Sequence, residues 1–453
     1  MIAIRARGLP AGPRPAIRRV GAAALAAGLL AAALPGSAFA ATGDAPVADS
    51  GDTAWMLMST ALVMIMLPGL ALFYGGLVRR KNVLSTIMHS FFGLAIVSVV
   101  WVLVGFSLAF APDATGNGLI GNLDYVGFMG VGLTPSTVYA VTIPFVLFAA
   151  FQLMFAAITP ALITGAFAER KRFASFVLFT IIWSIVVYSP IAHWVWATDG
   201  WLFKLGALDF AGGTVVHASS GLSALIVALL IGKRVASAEK MEPHDIPMTV
   251  LGAGLLWFGW FGFNAGSAVT AGGLAASAFI ATNTAAAAAT LTWVGAAYLH
   301  HRKVSVVGAA CGAVAGLVAI TPASGFVTPG GAILIGLVAG GLCYSATLLR
   351  ERLKIDDALD VFAVHGVGGV FGAVATGVLA TGAVQTAYKG LIDGNAGQVG
   401  IQLIAVGAVI AYAVIATFVI IKVVDAILGI RISARDEELG IDLSTHGEVA
   451  YQT

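Results

Sequence analysis

Residues 207–221 read ALDFAGGTVVHASSG, and residues 358–369 read ALDVFAVHGVGG. Each segment begins with the same tripeptide and leads into an apolar span that carries a histidine near its start. Another shared motif, Ile-Thr-Pro-Ala, stands at residues 158–161 and again at 320–323. The motifs keep the same order in the two halves of the chain, five apolar spans apart. A five-span unit repeated once enters a membrane from opposite sides, which predicts the inverted-repeat plan of many membrane transporters.

The rest of the chain is apolar enough to lie largely in a membrane. Of its 453 residues, 59% are hydrophobic and 10% are charged, whereas soluble domains carry about 25% charged residues. Apolar runs longer than about 18 residues can cross the hydrocarbon core. Eleven spans are predicted, near residues 54–78, 86–111, 138–168, 173–196, 213–232, 247–267, 274–299, 304–321, 329–349, 358–380 and 400–428. The predicted fold is an all-α polytopic membrane protein with eleven transmembrane helices, arranged as a 5+5 inverted repeat plus a final long helix.

The composition also argues against several classes of protein. A net charge of +2 gives no reason to expect nucleic acid as a partner. Cys311 and Cys343 lie inside apolar runs and read as small core residues, without the spacing of a disulfide framework or a metal site. No zinc-binding helix motif or Ser/His/Asp set stands out. We therefore expect no enzyme activity, no catalytic residue, no metal site and no cofactor.

The first forty residues read as a secretory signal peptide. Five arginines precede the Ala/Leu-rich stretch 20–34, and Ala38-Phe39-Ala40 offers a small-x-small cleavage site. The alternative is an uncleaved first membrane helix. The predicted organisation is a signal peptide at 1–40, a short periplasmic N-terminus at 41–53, a transmembrane domain at 54–429 and a cytoplasmic tail at 430–453.

Basic residues between the spans predict the orientation. Fourteen lie in the odd-numbered loops: Arg79, Arg80, Lys81, Arg170, Lys171, Arg172, Lys233, Arg234, Lys240, Arg302, Lys303, Arg350, Arg352 and Lys354. The even-numbered loops carry only Lys204 and Lys389. The positive-inside rule places the odd loops in the cytoplasm. The mature N-terminus is then periplasmic and the C-terminus cytoplasmic, in a bacterial inner membrane.

Two histidines are the strongest candidates for function. His217 and His365 lie at corresponding places of the repeat, and ionisable side chains inside a bilayer are costly and usually functional. Small residues follow each histidine, so their helices can approach closely and the rings can touch. A neutral imidazole pair offers both a hydrogen-bond donor and an acceptor. The alternative is two helix-packing histidines bonded to backbone carbonyls.

Aromatic residues form a second signal, at the predicted outer parts of spans three, four and six: Phe151, Phe155, Trp194, Trp196, Trp260, Phe261 and Phe263. Such a cluster can hold a cation against ring faces, and Ser267 can accept a hydrogen bond from it. The alternative is an ordinary aromatic belt at the membrane interface.

Asp209 and Asp360 stand just before spans five and ten. Asp209 is expected near the outer mouth, where it either attracts cations or caps a helix N-terminus, with Asp360 as its inner counterpart. A structural role is favoured for both. Because an unpaired ion in an apolar path faces a large desolvation cost, a path of rings and neutral imidazoles favours an uncharged species or a cation that gives up its proton.

Several segments resemble the Amt/Mep/Rh ammonium transporter family: FQLMF at 151–155, GAFAER at 165–170, PIAHWVW at 190–196, DFAGGTVVH at 209–217, GWFGFNAGS at 259–267 and DVFAVHG at 360–366. The likeness covers about residues 50–451, and includes the tail segments LGID at 439–442 and HGE at 446–448. Residues 197–205 depart from the expected pattern, and Ala363 stands where glycine is common.

The resemblance implies a role for each candidate residue. Phe155 and Phe263 would form a stacked gate, Trp196 and Ser267 the outer ammonium site, and Phe151 the vestibule lining. His217 and His365 would be twin pore histidines. Ammonium, or methylammonium as its analogue, would be recruited, deprotonated and passed through an apolar pore. The family also implies a homotrimer in the lipid bilayer and a tail that helps dock PII-type regulators.

Two other functions stay open at this stage. The same scaffold can act as an ammonium sensor through a cytoplasmic PII-type partner, although only about 25 residues follow span eleven. A secondary transporter of another solute is the second alternative.

Overall fold

The structure is a computed structural model that describes residues 46–235 and 242–451. Long helices make up most of this part of the chain. We number them in chain order: α1 Ser50–Leu77, α2 Arg80–Phe110, α3 Phe145–Phe167, α4 Phe173–Leu205, α5 Gly213–Ile231, α6 Ile246–Ala268, α7 Gly273–His301, α8 Val306–Ile320, α9 Pro329–Arg352, α10 Phe362–Leu379 and α11 Gly397–Leu428. The predicted signal peptide lies outside the described residues.

The helices account for the apolar composition, and the chain is an all-α polytopic membrane protein. Ten of the eleven are long and apolar enough to cross a membrane, whereas α8 has only 15 residues. The expected count of eleven spans therefore depends on α8.

One predicted boundary, the start of span three, is wrong. Span three was expected from residue 138, but a strand, β2 Ala140–Pro144, pairs antiparallel with β1 Pro135–Ser136 before α3 begins. Residues 141–143 read Val-Thr-Ile, and such β-branched side chains favour a strand. Span four was expected to end at residue 196, and its continuous helix does end at Trp196; a short helical segment, Trp201–Leu205, follows an irregular stretch at 197–200.

Five of these eleven helices contain a π-helical turn: Trp101–Gly105 in α2, Ser184–Tyr188 in α4, Gly213–Ala218 in α5, Phe261–Ala265 in α6 and Phe362–Val367 in α10. Such turns are wider than α-helical ones and often occur at functional sites. His217 and His365 each lie in the π turn that begins their helix. Phe263 lies in a third.

Glycines allow α5 and α10 to cross in contact. A Cβ atom at Gly221 would collide with the backbone of Gly366. Helices in a membrane pack closely where such small residues meet. The crossing brings the histidine-bearing turns of the two helices together.

Loops define two ends of the helix bundle. At the Trp196 end, the loop after α2 meets the loop inside α4, where the Asp113 backbone N–H donates to the Asp199 carboxylate. At the Asp360 end, Glu169 in the loop after α3 binds Arg79 and Arg234 from the loops after α1 and α5.

The C-terminal segment packs against the Asp360 end. It contains a short helix, α12 Ala434–Leu439, and a turn at Asp442–His446. The Asp442 carboxylate accepts hydrogen bonds from the Leu84 and Ser85 backbone at 3.0 and 2.8 Å. Glu437 accepts one from the Val235 backbone at 2.6 Å. The segment thereby joins the first turn of α2 to the loop after α5.

Candidate functional site

His217 and His365 meet in the interior of the bundle. Their Nδ1 atoms lie 3.2 Å apart, and both side chains are buried. One Nδ1 must donate and the other accept, so the pair shares one proton across this contact. Nε2 of His217 has no hydrogen-bond partner among the described residues. This nitrogen is therefore available to a small polar molecule beside the pair.

Two phenylalanines cover the histidine pair on the side of the Trp196 end. The ring centroids of Phe155 and Phe263 lie 4.2 Å apart, and Phe263 stacks on His217 at 5.9 Å with an interplanar angle of 22°. Both phenylalanines are buried. Phe155 and Phe263 therefore separate the imidazole pair from the Trp196 end.

The other aromatic candidates lie around this pair of phenylalanines. Phe151 contacts Phe155 at 4.9 Å, and Trp196 meets Phe155 edge-on at 5.8 Å. The Trp196 indole N–H donates to the Asp209 carbonyl at 3.0 Å, which fixes the ring. The Ser267 hydroxyl donates to the Phe263 carbonyl at 2.8 Å. Its oxygen keeps lone pairs that can accept a hydrogen bond.

Trp260 does not belong to an aromatic belt, contrary to one alternative from the sequence. It is buried and lies nearly parallel to His217, at 5.4 Å with an interplanar angle of 25°. Its centroid is also 5.4 Å from that of Phe263. Hydropathy alone did not identify this depth, because an interfacial tryptophan and a deeply buried one look alike in sequence.

The histidines line a narrow, mostly apolar cavity. Its lining residues are Met66, Leu70, Phe73, Ile158, Leu162, His217, Leu256, Trp260, Phe263, Val314 and His365. Sequence reasoning missed the six aliphatic residues, Phe73 and the role of Trp260. Apolar residues that face this cavity carry no signal that separates them from core or lipid-facing residues in an apolar helix.

Asp209 caps the helix that carries His217. One carboxylate oxygen accepts from the backbone of Gly212 and Gly213 at 2.8 and 2.6 Å, and the other accepts from Thr214 and Val215. The side chain is buried. Of its two expected roles, the geometry corresponds to the helix cap.

Asp360 is not the counterpart of Asp209, and this prediction is wrong. Asp357 caps α10, where its carboxylate accepts from the Phe362 backbone at 2.7 Å. Asp360 instead binds the Arg350 guanidinium at 2.6 Å, with a positive φ of 58°. The two copies of the tripeptide Ala-Leu-Asp are not equivalent in the structure, because fewer residues separate Asp360 from His365 than separate Asp209 from His217.

A charged vestibule of about 640 Å³ opens at the Asp360 end. Its lining includes Arg234, Arg350, Asp356 and Asp360. Burial together with the negative charge of Asp360 raises the pKa of Asp357 to about 6. The lining of the vestibule also carries two ion pairs, Arg234–Asp356 and Arg350–Asp360.

Two other buried histidines have separate surroundings. His89 lies among phenylalanines, 4.5 Å from the centroid of Phe176. His193 binds the Ala109 carbonyl through Nδ1 at 3.0 Å, with Nε2 3.5 Å from Asp113. Neither of them contacts the His217–His365 pair in the part of the chain that the structure describes.

Comparisons with known proteins place this architecture in a family. The family model described as Ammonium Transporter Family matches residues 54–451. The ammonium transporter of Bacillus subtilis (strain 168) is 52% identical over 404 residues, which cover 89% of this chain and 98% of that protein. The crystal structure of Saccharomyces cerevisiae Mep2 superposes with a TM-score of 0.80 at 41% identity, covering 85% of this chain and 91% of Mep2. A solved sensor Amt protein gives a TM-score of 0.81 at 30% identity, covering 87% and 98%.

The fold and the relatives define a polytopic membrane transport protein and not an enzyme. The matches are long, and they cover nearly the full length of the relatives. The chain belongs to the ammonium transporter family.

Proposed function

We propose that this chain takes up ammonium at the Trp196 end, strips it of a proton and passes ammonia between Phe155 and Phe263 to the histidine pair. The observation that carries the proposal is the 3.2 Å contact between His217 and His365 in a narrow apolar cavity. A small molecule that both donates and accepts hydrogen bonds suits this pair.

The recruitment step is proposed for the aromatic residues beside Phe155. Ring faces of Trp196 and Phe151 attract a cation, each contact being worth about 0.5–2 kcal/mol, and the Ser267 oxygen accepts a hydrogen bond from it. Deeper entry as an ion is opposed, because an unpaired charge in an apolar cavity loses its hydration. The released proton either returns to water at the entry side or crosses by a separate route.

Variants of the two histidines test this proposal. We expect His217→Ala and His365→Ala each to lower methylammonium uptake into proteoliposomes at least about tenfold, because the apolar passage loses its polar step. Current on a solid-supported membrane after an ammonium jump, measured on the same variants, reports whether net charge crosses.

His301→Ala is the matched control, since His301 is exposed at the end of α7. It should transport at the wild-type rate. Unchanged uptake in both pore variants, with intact assemblies, would remove the site assignment.

The membrane context and assembly are part of the same proposal. We place the chain in the bacterial inner membrane, with the Trp196 end periplasmic and the Asp360 end cytoplasmic, on the basis of the basic residues in the odd-numbered loops. The family resemblance supports a homotrimer, for which native mass spectrometry should give three copies of the chain.

An ammonium sensor is the second candidate function, and the similarity to a solved sensor Amt protein favours considering it. The tail at 430–451, which packs on the loops of the Asp360 end, is the proposed docking region for a PII-type regulator. A dedicated sensor should show no methylammonium flux in proteoliposomes where a transporter does.

A further inference from the structure

The second copy of the Ile-Thr-Pro-Ala motif connects to the passage through its threonine. Thr321 lies in the turn directly after α8 and is fully buried. Its hydroxyl donates to the Leu317 carbonyl at 2.7 Å and accepts the Trp260 indole N–H at 2.9 Å. The donor bond fixes the hydroxyl orientation, so its lone pair points to Trp260 in a defined direction.

Trp260 in turn contacts His217 of the histidine pair and Phe263 of the proposed gate. It lies flat against His217 and packs against Phe263, both at 5.4 Å between centroids. A buried indole N–H without a partner is costly, so the ring is held where its N–H meets Thr321. Displacing the ring would move a wall shared by the gate and the histidine pair.

We propose that Thr321 is a positioning residue for transport: its hydroxyl holds the Trp260 indole in register with His217 and Phe263. This inference deepens the proposed function and rests on it. Thr321 itself does not line the cavity and acts through Trp260.

The first copy of the motif shows what the same threonine does without an indole. Thr159 is also fully buried, and its hydroxyl donates to the Phe155 carbonyl within α3 at 2.6 Å. Such a bond to the preceding helical turn is common for threonine and has little specific consequence. The bond between α6 and the turn after α8 is thus the feature that distinguishes Thr321.

The test compares Thr321→Val with Thr321→Ser. Valine keeps the shape of threonine but cannot accept the indole N–H, whereas serine keeps the hydroxyl. We expect Thr321→Val to lower the maximal rate of methylammonium uptake about five- to tenfold, the equivalent of one lost buried hydrogen bond. Thr321→Ser should stay within about twofold of wild type.

A second background separates positioning from general packing. In Trp260→Phe, which has no N–H to hold, Thr321→Val should cause no further loss. Thr376→Val is the matched control, because Thr376 is equally buried and its hydroxyl bonds only to its own helix, at the Gly372 carbonyl. It should transport normally, and size-exclusion profiles in detergent should show that all variants assemble as the wild type does.

Three results would overturn the inference: wild-type transport in Thr321→Val, equal losses in the serine and valine variants, or an additive loss in the Trp260→Phe background. The proposed function fails separately, through normal uptake in His217→Ala and His365→Ala. If those variants are inactive while Thr321→Val is normal, only the role of Thr321 is refuted.

Discussion

Asp209→Ala is expected to abolish methylammonium uptake and to reduce the yield of intact protein sharply. The carboxylate accepts hydrogen bonds from four backbone N–H groups at the start of α5. Hydrogen bonds to a charged group are worth about 1.5–3 kcal/mol each, and alanine leaves all four donors without this partner. The π turn that carries His217 should then lose its geometry.

Size-exclusion profiles and thermal unfolding in detergent measure the loss of assembly, and uptake measures function. Asp124→Ala is the control, because Asp124 is exposed at the same end and bonds mainly to Asn122. If Asp209 instead served to attract cations, its alanine variant would assemble normally and show only a raised KM.

Glu169→Gln is expected to cause the second large effect, a loss of stability of about 3–5 kcal/mol. The Glu169 carboxylate is completely buried and binds Arg79 at 3.0 Å, Arg234 at 2.9 Å and the Asn82 amide at 3.0 Å. Glutamine would leave two guanidinium groups in a buried setting without their shared anion. Three loops at the Asp360 end should loosen together.

Thermal unfolding of the purified protein measures this effect, with Glu351→Gln as the control. Glu351 is mostly exposed, and its contact with Arg350 is 3.5 Å long. Exposed pairs contribute little, so the control should unfold at the wild-type temperature. If Glu169→Gln unfolded at the same temperature as the wild type, the three loops would have to be held by other contacts.

The stability that the Glu169 carboxylate contributes should also depend on pH. Burial opposes the ionisation of Glu169, but Arg234 and Arg79 outweigh it and hold its pKa below the ordinary glutamate range. A depressed folded-state pKa contributes stability above the unfolded pKa, and this contribution is lost as the pH falls through the folded pKa. The wild-type protein should therefore lose its advantage over Glu169→Gln below about pH 4.

The features that could be predicted from the sequence are those marked by a repeated motif or by residue types that are rare in apolar spans. His217 and His365 stand out because imidazoles are unusual in apolar spans, and their matched positions in the repeat predict their contact. The pairing of Phe155 with Phe263 was predicted from the family resemblance. The two histidines were identifiable because ionisable side chains in a membrane are costly and because the motifs around them recur in the same order.

Other features depend on three-dimensional neighbours that no local pattern encodes. The depth of Trp260 follows from the π turn after it and from a bond to Thr321 on another element. Asp357 caps α10 in place of Asp360 because the backbone before α10 differs by a few residues from the backbone before α5. The aliphatic cavity lining is chemically identical to the lipid-facing surface, so only packing distinguishes the two.

The π turns that begin α5 and α10 make the passage sensitive to chain length. Each such turn accommodates one residue more than an α-helical turn does. Removing a single residue from Gly213–Ala218 would convert the π turn into an ordinary α-helical turn and would shift the side chains within it around the helix axis. The His217 imidazole would then turn away from His365, so one-residue deletions here should be far more harmful than most substitutions.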